Sequence, residues 1–569
     1  MAGTAALPGP HGGAHRPPVT GSGGVVSSAH YLASLAGVRA LMDGGNAVDA
    51  AVATAATLNV VEPFMSGMAG VGYMMVFSAR RGEHLALDFM GRLPRAADRA
   101  RIDGAEAMRD RPQGTLVPGN LGGWLAALER FGTMDRAAVF ASAIDYAENG
   151  YPVGLRGAEL IEANADRLRR WGDGAPYLRD GRPPRHGERM VQPDLARSFR
   201  RVVEGGSEAF YRGDLGRAVA AAAEAGGGFL STDDLAAFRP EWQTPVEVGY
   251  RGYTVRTVPP PCSGLQFLIG LGLLEGFDLA GLGHNSAEHL HLVIEATKLA
   301  VADRIAYAAP ADPPVEGLLS AGYLAERRRL IDRRRAAVSG GERYSRRRAP
   351  DEVRAGTPRP SGFRGENTTH FSVVDREGNA VSVTQTLGSG FGCGLVAPGT
   401  GLALNNVGFW IDLDPESPAG LRPGMKMEVP MAPTHVLRDG RMFLAIGTPG
   451  GVGILQTTHQ MLSNVVDFGL NVQAAIEAPR IRCALPAGED PAFFTPDGPD
   501  PAERGSLVRV EDRVAPAVRE ELTRRGHRVD LLGDWSIAVG GGQGVLIDPE
   551  TGARSGGADP RRDGYAIAY

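Results

Sequence analysis

Asn367-Thr368-Thr369-His370 places two hydroxyls and an imidazole at the start of a predicted strand. A threonine hydroxyl is a weak nucleophile until a base takes its proton, and alone this tetrapeptide suits a cap or a turn equally well. Its surroundings add chemistry. Thr369–Val374 and Ala380–Thr386 alternate like two strands around residues 375–379, with a loop at Arg376–Gly378. If Asp375 faces Asn379, Thr368 faces Thr386, within cross-strand side-chain reach. A second candidate is the run Gly447-Thr448-Pro449-Gly450-Gly451-Val452-Gly453. It lacks the Lys-Ser/Thr ending of a phosphate loop and contains a proline. At a strand-to-helix turn its successive N–H groups can still cradle an anion, an oxyanion as well as a phosphate; the bland alternative is a tight turn. The sequence has no HExxH, G-x-S-x-G or GxxxxGK[ST] signature.

The elements that must hold these residues are legible in outline. Val25-Val26 begins a short strand, Ser28 is the expected cap of a helix over residues 29–42, and the Ala-rich stretch 49–58 is a helix packed closely on a neighbour. Strands are predicted over 73–77 and 84–89, and mainly helical structure from 117 to about 239. A strand pair spans 246–258 around Arg251-Gly252 and ends at Pro259-Pro260-Pro261. Helices follow over 265–274 and 287–306, the second an apolar face with embedded Glu295 and Asp303. Further strands are expected at 401–404, 433–438 and 442–446, then a helix over 454–466. Strands and helices segregate rather than alternate, which favours a layered α+β architecture.

Composition bounds the function. The 569 residues are 43% apolar and 22% charged, with a net charge of −5; this supports a large core and argues against a protein built around nucleic acid. The arginine triplets at 327–329, 333–335 and 346–348 read as a solvated helix end and a flexible basic linker rather than a nucleic-acid arm. Cys262, Cys393 and Cys483 are too few and scattered for a disulfide framework or zinc site. No stretch approaches the ~20 apolar residues of a spanning helix, and residues 1–23 read as a disordered leader without signal-peptide features. The expectation is a cytoplasmic protein with no membrane and no nucleic-acid partner.

Several stretches together resemble the γ-glutamyltransferase family of N-terminal-nucleophile (Ntn) hydrolases. They are Thr368 to Asp375, Gly378 to Thr384, Gly447 to Gly451, Gly44-Gly45-Asn46-Ala47-Val48-Asp49-Ala50-Ala51, Val117-Pro118-Gly119, Tyr250 to Tyr253, Ala302-Asp303-Arg304 and Ala558-Asp559-Pro560-Arg561. The resemblance runs from about Gly24 to Tyr569. It implies a four-layer αββα sandwich formed as one domain from two pieces of a chain cut between Asn367 and Thr368. The large piece would be 24–367, with the flexible basic linker at 326–366, and the small piece 368–569, a heterodimer of its own fragments whose further dimerisation is left open. Cleavage frees the α-amine of Thr368, whose reference pKa of about 7.7–8.0 lets it serve as base for its own hydroxyl. By resemblance Gly450 and Gly451 supply the oxyanion donors and Thr386 hydrogen-bonds the nucleophile. His370 is then left a structural part and Cys393 a small filler. No cofactor and no metal is called for.

The sequence departs from the family at the substrate clamp. Matched without a gap from Thr368, the family's amine-binding Asn, Gln and Asp fall on Gly388, Val407 and Trp410. Its carboxylate-binding Ser-Ser falls on Val429-Pro430, and its Arg on Met90, with Arg92 nearby as a substitute cation. The segment after Trp410 is also shorter than in members with a lid loop. The first expectation is therefore an autoprocessed amidohydrolase or acyltransferase, acyl-enzyme on Thr368, passing the acyl group of a small-molecule amide to water or an amine. That acyl group is not an ordinary γ-glutamyl: oxamate-like or glutaryl amides, or C–C hydrolysis in a natural-product pathway, are the options. The alternatives are a true γ-glutamyltransferase acting on glutathione and an unprocessed, non-catalytic binding protein of this fold.

Overall fold

The hairpin expected around residues 376–378 lies at the centre of the molecule. The computed structural model describes residues 14–171, 176–307, 313–337, 367–413, 415, 420–483 and 507–569. Asn367–Asp375 and Ala380–Gly388 pair antiparallel with Thr368 opposite Thr386 and Val374 opposite Ala380. Asp375 fixes the turn. Its carboxylate accepts the N–H groups of Glu377 at 2.9 Å and Asn379 at 3.0 Å, and that of Ala47 from a distant helix at 2.9 Å. Gly378 adopts a φ of +82°, which a side chain would resist.

This hairpin forms the middle of a seven-stranded sheet running, edge to edge, Tyr565–Ala568, Gly24–Ser28, Asn367–Asp375, Ala380–Gly388, Val71–Ser78, Glu83–Asp88 and Glu241–Gln243. A second seven-stranded sheet faces it: Val19–Gly21, Arg554–Ala558, Gln543–Ile547, Arg441–Gly447, Thr434–Arg438, Tyr253–Thr257 and Val246–Tyr250. Helices Tyr31–Met42 and Ala47–Val61 cover the outer face of the first sheet. Gly264–Leu274 and Ile454–Val466, backed by Ala287–Tyr307, cover the second. The result is the four-layer αββα sandwich of an Ntn hydrolase. All nine residues of Ala380–Gly388 are buried, because one face meets helices and the other meets a sheet. The period-2 pattern therefore separates two buried environments. Phe371, Val373, Val381 and Val383 join the helix-side core, each contributing about 1.5–3 kcal/mol by leaving water. Thr368, His370 and Ser372 share the other face with Thr386, Thr384 and Ser382.

The Ala-rich helix Ala47–Val61 is buried at every position. Its small side chains let Tyr31–Met42 approach until a Cβ on Gly37 would sit 2.3 Å from Thr54 Oγ1. Asn46 caps it, accepting from Val48 and Asp49 while Asp49 accepts from the Asn46 N–H at 2.9 Å, a reciprocal capping box. The stretch Gly44–Ala51 is thus accounted for by architecture.

Three expectations need correction. Ser28 does not cap the first helix: His30 does, through Nδ1 accepting the Leu32 N–H at 3.2 Å, while the Ser28 hydroxyl donates to His30 O. The end of the expected leader is ordered, since Val19–Gly21 pairs with Arg554–Gly556 and Arg16 donates to the carbonyls of Ala558 and Gly564; residues 1–13 lie outside the described residues. The first arginine triplet is solvated only at Arg329. Arg327, at 5% exposure, pairs with Asp303, and Arg328 donates to the carbonyls of Leu273 and Gly272. Residues 338–366 of the expected linker, with the triplet at 346–348, lie outside the described residues. Among the described residues no helix is long and apolar enough to cross a membrane.

Candidate active site

The inter-sheet face of the central hairpin carries a file of polar side chains. Ser372 and Ser382 bond at 3.3 Å, and His370 bonds Thr384 through Nδ1 at 2.9 Å and Ser372 through Nε2 at 3.2 Å. A Cβ on Gly447, in the opposite sheet, would lie 2.4 Å from the His370 ring, so glycine is what lets the ring fit. Burial lowers the His370 pKa to about 3. The ring is neutral, and both of its nitrogens are engaged, with Thr384 and Ser372.

Thr368 and Thr386 stand at the open end of this file. Thr368 is 1% exposed, and its hydroxyl donates to Thr386 Oγ1 at 3.4 Å, the outer limit of such a bond. The Thr386 hydroxyl also accepts the Gly388 N–H at 2.8 Å and donates to the carbonyl oxygen of Asn367. One hydroxyl therefore touches the candidate nucleophile and polarises the carbonyl at the expected cut. Thr369 points to the helix side, donating to Glu62 at 2.8 Å; burial pushes Glu62 up to about 7.

Behind the strand, Arg562 Nη1 donates to Thr368 O at 2.9 Å. Its position follows from a wholly buried network. Arg480 bonds Asp559 at 2.6 Å, and Arg561 bonds Asp559 at 3.1 Å and Glu511. The Ala558–Arg561 stretch that sequence comparison singles out is thus the anchor for the next residue.

The glycine run follows strand Arg441–Gly447 and leads into helix Ile454–Val466. Gly450 has φ +129° and Gly451 φ +53°, both in the region that favours glycine. Thr448 pins the turn, donating to Pro449 O and accepting the Gly541 N–H, each at 2.9 Å. Gly450 and Asn367 line one cavity of about 280 Å³.

None of the clamp positions lines that cavity. Met90, Val407, Trp410 and Val429 belong to one buried apolar cluster. Gly388 has φ +99°, and a Cβ there would lie 2.3 Å from Asn406 Oδ1, which accepts the Ser389 N–H at 2.9 Å. Asn406 occupies the space a side chain at 388 would need. Arg92, expected as a substitute for the family's arginine, lies at the surface. Its side chain is 53% exposed, 3.6 Å from Glu241, and it donates to Gly424 O at 3.4 Å. Lys426 is engaged with Asp88 at 2.7 Å and Glu241 at 2.8 Å. Cys393 is buried, which pushes its thiol up to about 11. Sequence reasoning missed Glu62, Asn406 and Arg562. Only Arg562 carried a signal, its place beside the Ala558–Arg561 stretch.

A family model described as Gamma-glutamyltranspeptidase matches residues 33–569. The Acylase ACY 1 proenzyme of Pseudomonas sp. (strain SE83) is 35% identical, covering 97% of this chain and 94% of its own. The Glutathione hydrolase proenzyme of Bacillus subtilis (strain 168) is 33% identical over 96% of this chain and 92% of its own. Among solved structures, the cephalosporin acylase from Bacillus halodurans superposes with a TM-score of 0.84 at 32% identity, covering 100% of this chain and 99% of that one.

Proposed function

The chain belongs to the gamma-glutamyltranspeptidase family of enzymes, and from that premise we propose that it is an autoprocessed acylase whose acyl group carries no α-ammonium. In the precursor the Thr368 hydroxyl attacks the Asn367 carbonyl carbon. The C–N bond to Thr368 breaks, and water hydrolyses the resulting ester. The Thr386 hydroxyl, already donating to that carbonyl oxygen, favours the charge that develops there. The freed α-amine of Thr368 then takes the proton of its own hydroxyl as that hydroxyl attacks a substrate amide; the amide C–N bond breaks, the amine leaves with the proton, the acyl group stays as an ester on Thr368, and water or an amine accepts it. In this reading the N–H groups of Gly450 and Gly451 hold the tetrahedral oxyanion. A neutral, engaged His370 fits a mechanism whose base is the amine.

The observation that carries the substrate reading is the apolar cluster at the clamp positions. Met90, Val407, Trp410 and Val429 carry no acceptor side chain, and the buried carboxylate beside Met90, Asp88, is already paired with Lys426, so an α-ammonium buried there would lose water at a cost of several kcal/mol. The name of the Pseudomonas relative, an acylase, supports the same reading; that of the Bacillus subtilis relative supports the competing one, glutathione hydrolysis. The test compares glutathione and γ-glutamyl p-nitroanilide with p-nitroanilides of acyl groups lacking the amine. The proposal expects the latter to turn over and the former to be poor substrates. Efficient glutathione cleavage, with a KM in the ordinary micromolar-to-millimolar range, would overturn it.

A further inference from the structure

The cavity that Asn367 and Gly450 line has both apolar and basic walls. Phe64, Leu160 and Ile161 are among its apolar residues. Arg482, Arg509 and Arg562 are among its basic ones. Arg482 on strand Ile481–Cys483 and Arg509 on strand Leu507–Val510 are direct cross-strand partners, so their side chains leave the same face about 5 Å apart at Cβ. Like charges so placed repel, which makes the pair a device needing a reason. Each is tied at the walls of the cavity. Arg482 donates to Ala538 O at 3.1 Å and stacks against the glycine turn, where a Cβ on Gly453 would lie 3.4 Å from its guanidinium. Arg509 lies 3.8 Å from Asp530, and both guanidiniums have further partners. Arg562 reaches the same cavity from the carbonyl of Thr368.

We infer that this cavity is a substrate subsite for a carboxylate, seated between Arg482 and Arg509 with the carbon chain attached to it lying along Phe64, Leu160 and Ile161. Planar guanidiniums suit a carboxylate because they offer paired, charge-assisted donors. The volume fits: about 280 Å³ holds roughly nine water molecules at ~30 Å³ each, and so a short chain with its head group. Two carboxyls also face the cavity. Burial pushes Glu62 up to about 7 and raises the pKa of Asp563. None of Met90, Val407, Trp410 and Val429 lines this cavity. Carboxylate recognition has therefore moved from the family's clamp to the Gly450 side of the nucleophile. This inference rests on the acylase reading for its place in the reaction.

Calorimetric titration with glutarate and with its uncharged diamide, glutaramide, tests the subsite without requiring turnover. Glutarate should bind the purified protein at least tenfold more tightly, and Arg482→Gln and Arg509→Gln should each weaken it tenfold or more. Equal binding of the two probes by the wild type would overturn the inference. So would wild-type glutarate affinity in the double variant once its melting curve and fragment pattern match the wild type. Three substrates then locate the carboxylate: glutaryl p-nitroanilide carries it on the acyl side, 4-butyramidobenzoate on the leaving amine, and butyranilide not at all. A KM lower than that of butyranilide, raised tenfold by Arg509→Gln, identifies the side. Glutathione cleavage would sink the acylase reading while leaving the glutarate measurement intact, so the two failures are distinguishable.

Discussion

Thr386→Val keeps the shape of a buried side chain while deleting a hydroxyl used three ways. That hydroxyl accepts from Gly388 N at 2.8 Å and from Thr368 at 3.4 Å, and donates to Asn367 O. The long contact to Thr368 contributes least. The Gly388 N–H, buried, loses its partner at a cost of about 1–3 kcal/mol, so the folded chain should lose about 2 kcal/mol of stability. The larger effect is kinetic. The hydroxyl is the donor on the carbonyl that Thr368 must attack, and loss of one such donor typically costs about 10²–10³ in rate. A pulse of expression followed by a denaturing-gel time course should show the uncut Thr386→Val chain persisting some hundredfold longer than wild type. Thr386→Ser, which keeps the hydroxyl, should restore cleavage. If Thr386→Val matures at the wild-type rate while its melting temperature falls, the hydroxyl holds the fold alone and the assignment of a chemical role is refuted.

Three further outcomes are expected. Burial raises Glu62 from an ordinary 4.5 to about 7, so the folded state holds a proton that the unfolded chain releases; stability is greatest below about pH 4.5, declines as pH rises to about 7, and is then flat, by on the order of 3 kcal/mol in all. Melting curves of Glu62→Gln should show a shallower decline across that window than wild type, and an unchanged slope would refute the burial argument. Gly388→Asn restores a residue type of the family clamp, yet the φ of +99° and the 2.3 Å approach to Asn406 Oδ1 predict a lower melting temperature and no gain of γ-glutamyl p-nitroanilide turnover; a gain would show that the space exists. Gly447→Ala drives a methyl to 2.4 Å from the His370 ring and should cost about 1–3 kcal/mol, readable as a drop in melting temperature, with no drop refuting the close approach.

Local chemistry made the hairpin readable. Asp375, Gly378 and Asn379 are turn residues, their place sets the register, and the register alone brings Thr368 to Thr386. Helix Ile454–Val466 was legible for a similar reason, with glycines before it and a clear apolar period. What stayed hidden depends on distant partners. Glu62 ends a helix 307 residues before the threonine it binds, and Arg562 reaches Thr368 from the loop that joins the two sheets near the C-terminus. Arg327 looked solvated because its partner Asp303 lies on a separate helix. His30 gives no cap signal in the sequence, where a serine stands two residues earlier, because its role depends on an imidazole nitrogen turned back to the Leu32 N–H. The clamp was legible only as a set of missing side chains. That Asn406 fills the space at Gly388, and that Arg92 turns to Glu241, required the packed structure.

The N-terminal threonine mechanism is tested most directly by intact mass and N-terminal sequencing of the purified protein, wild type beside Thr368→Ala. The expected result is two fragments in the wild type, the smaller beginning at Thr368, and one uncut, inactive chain in the variant. A full-length wild-type chain that turns over an acyl amide with Thr368 still internal would contradict it, because no free α-amine would then exist to activate the hydroxyl.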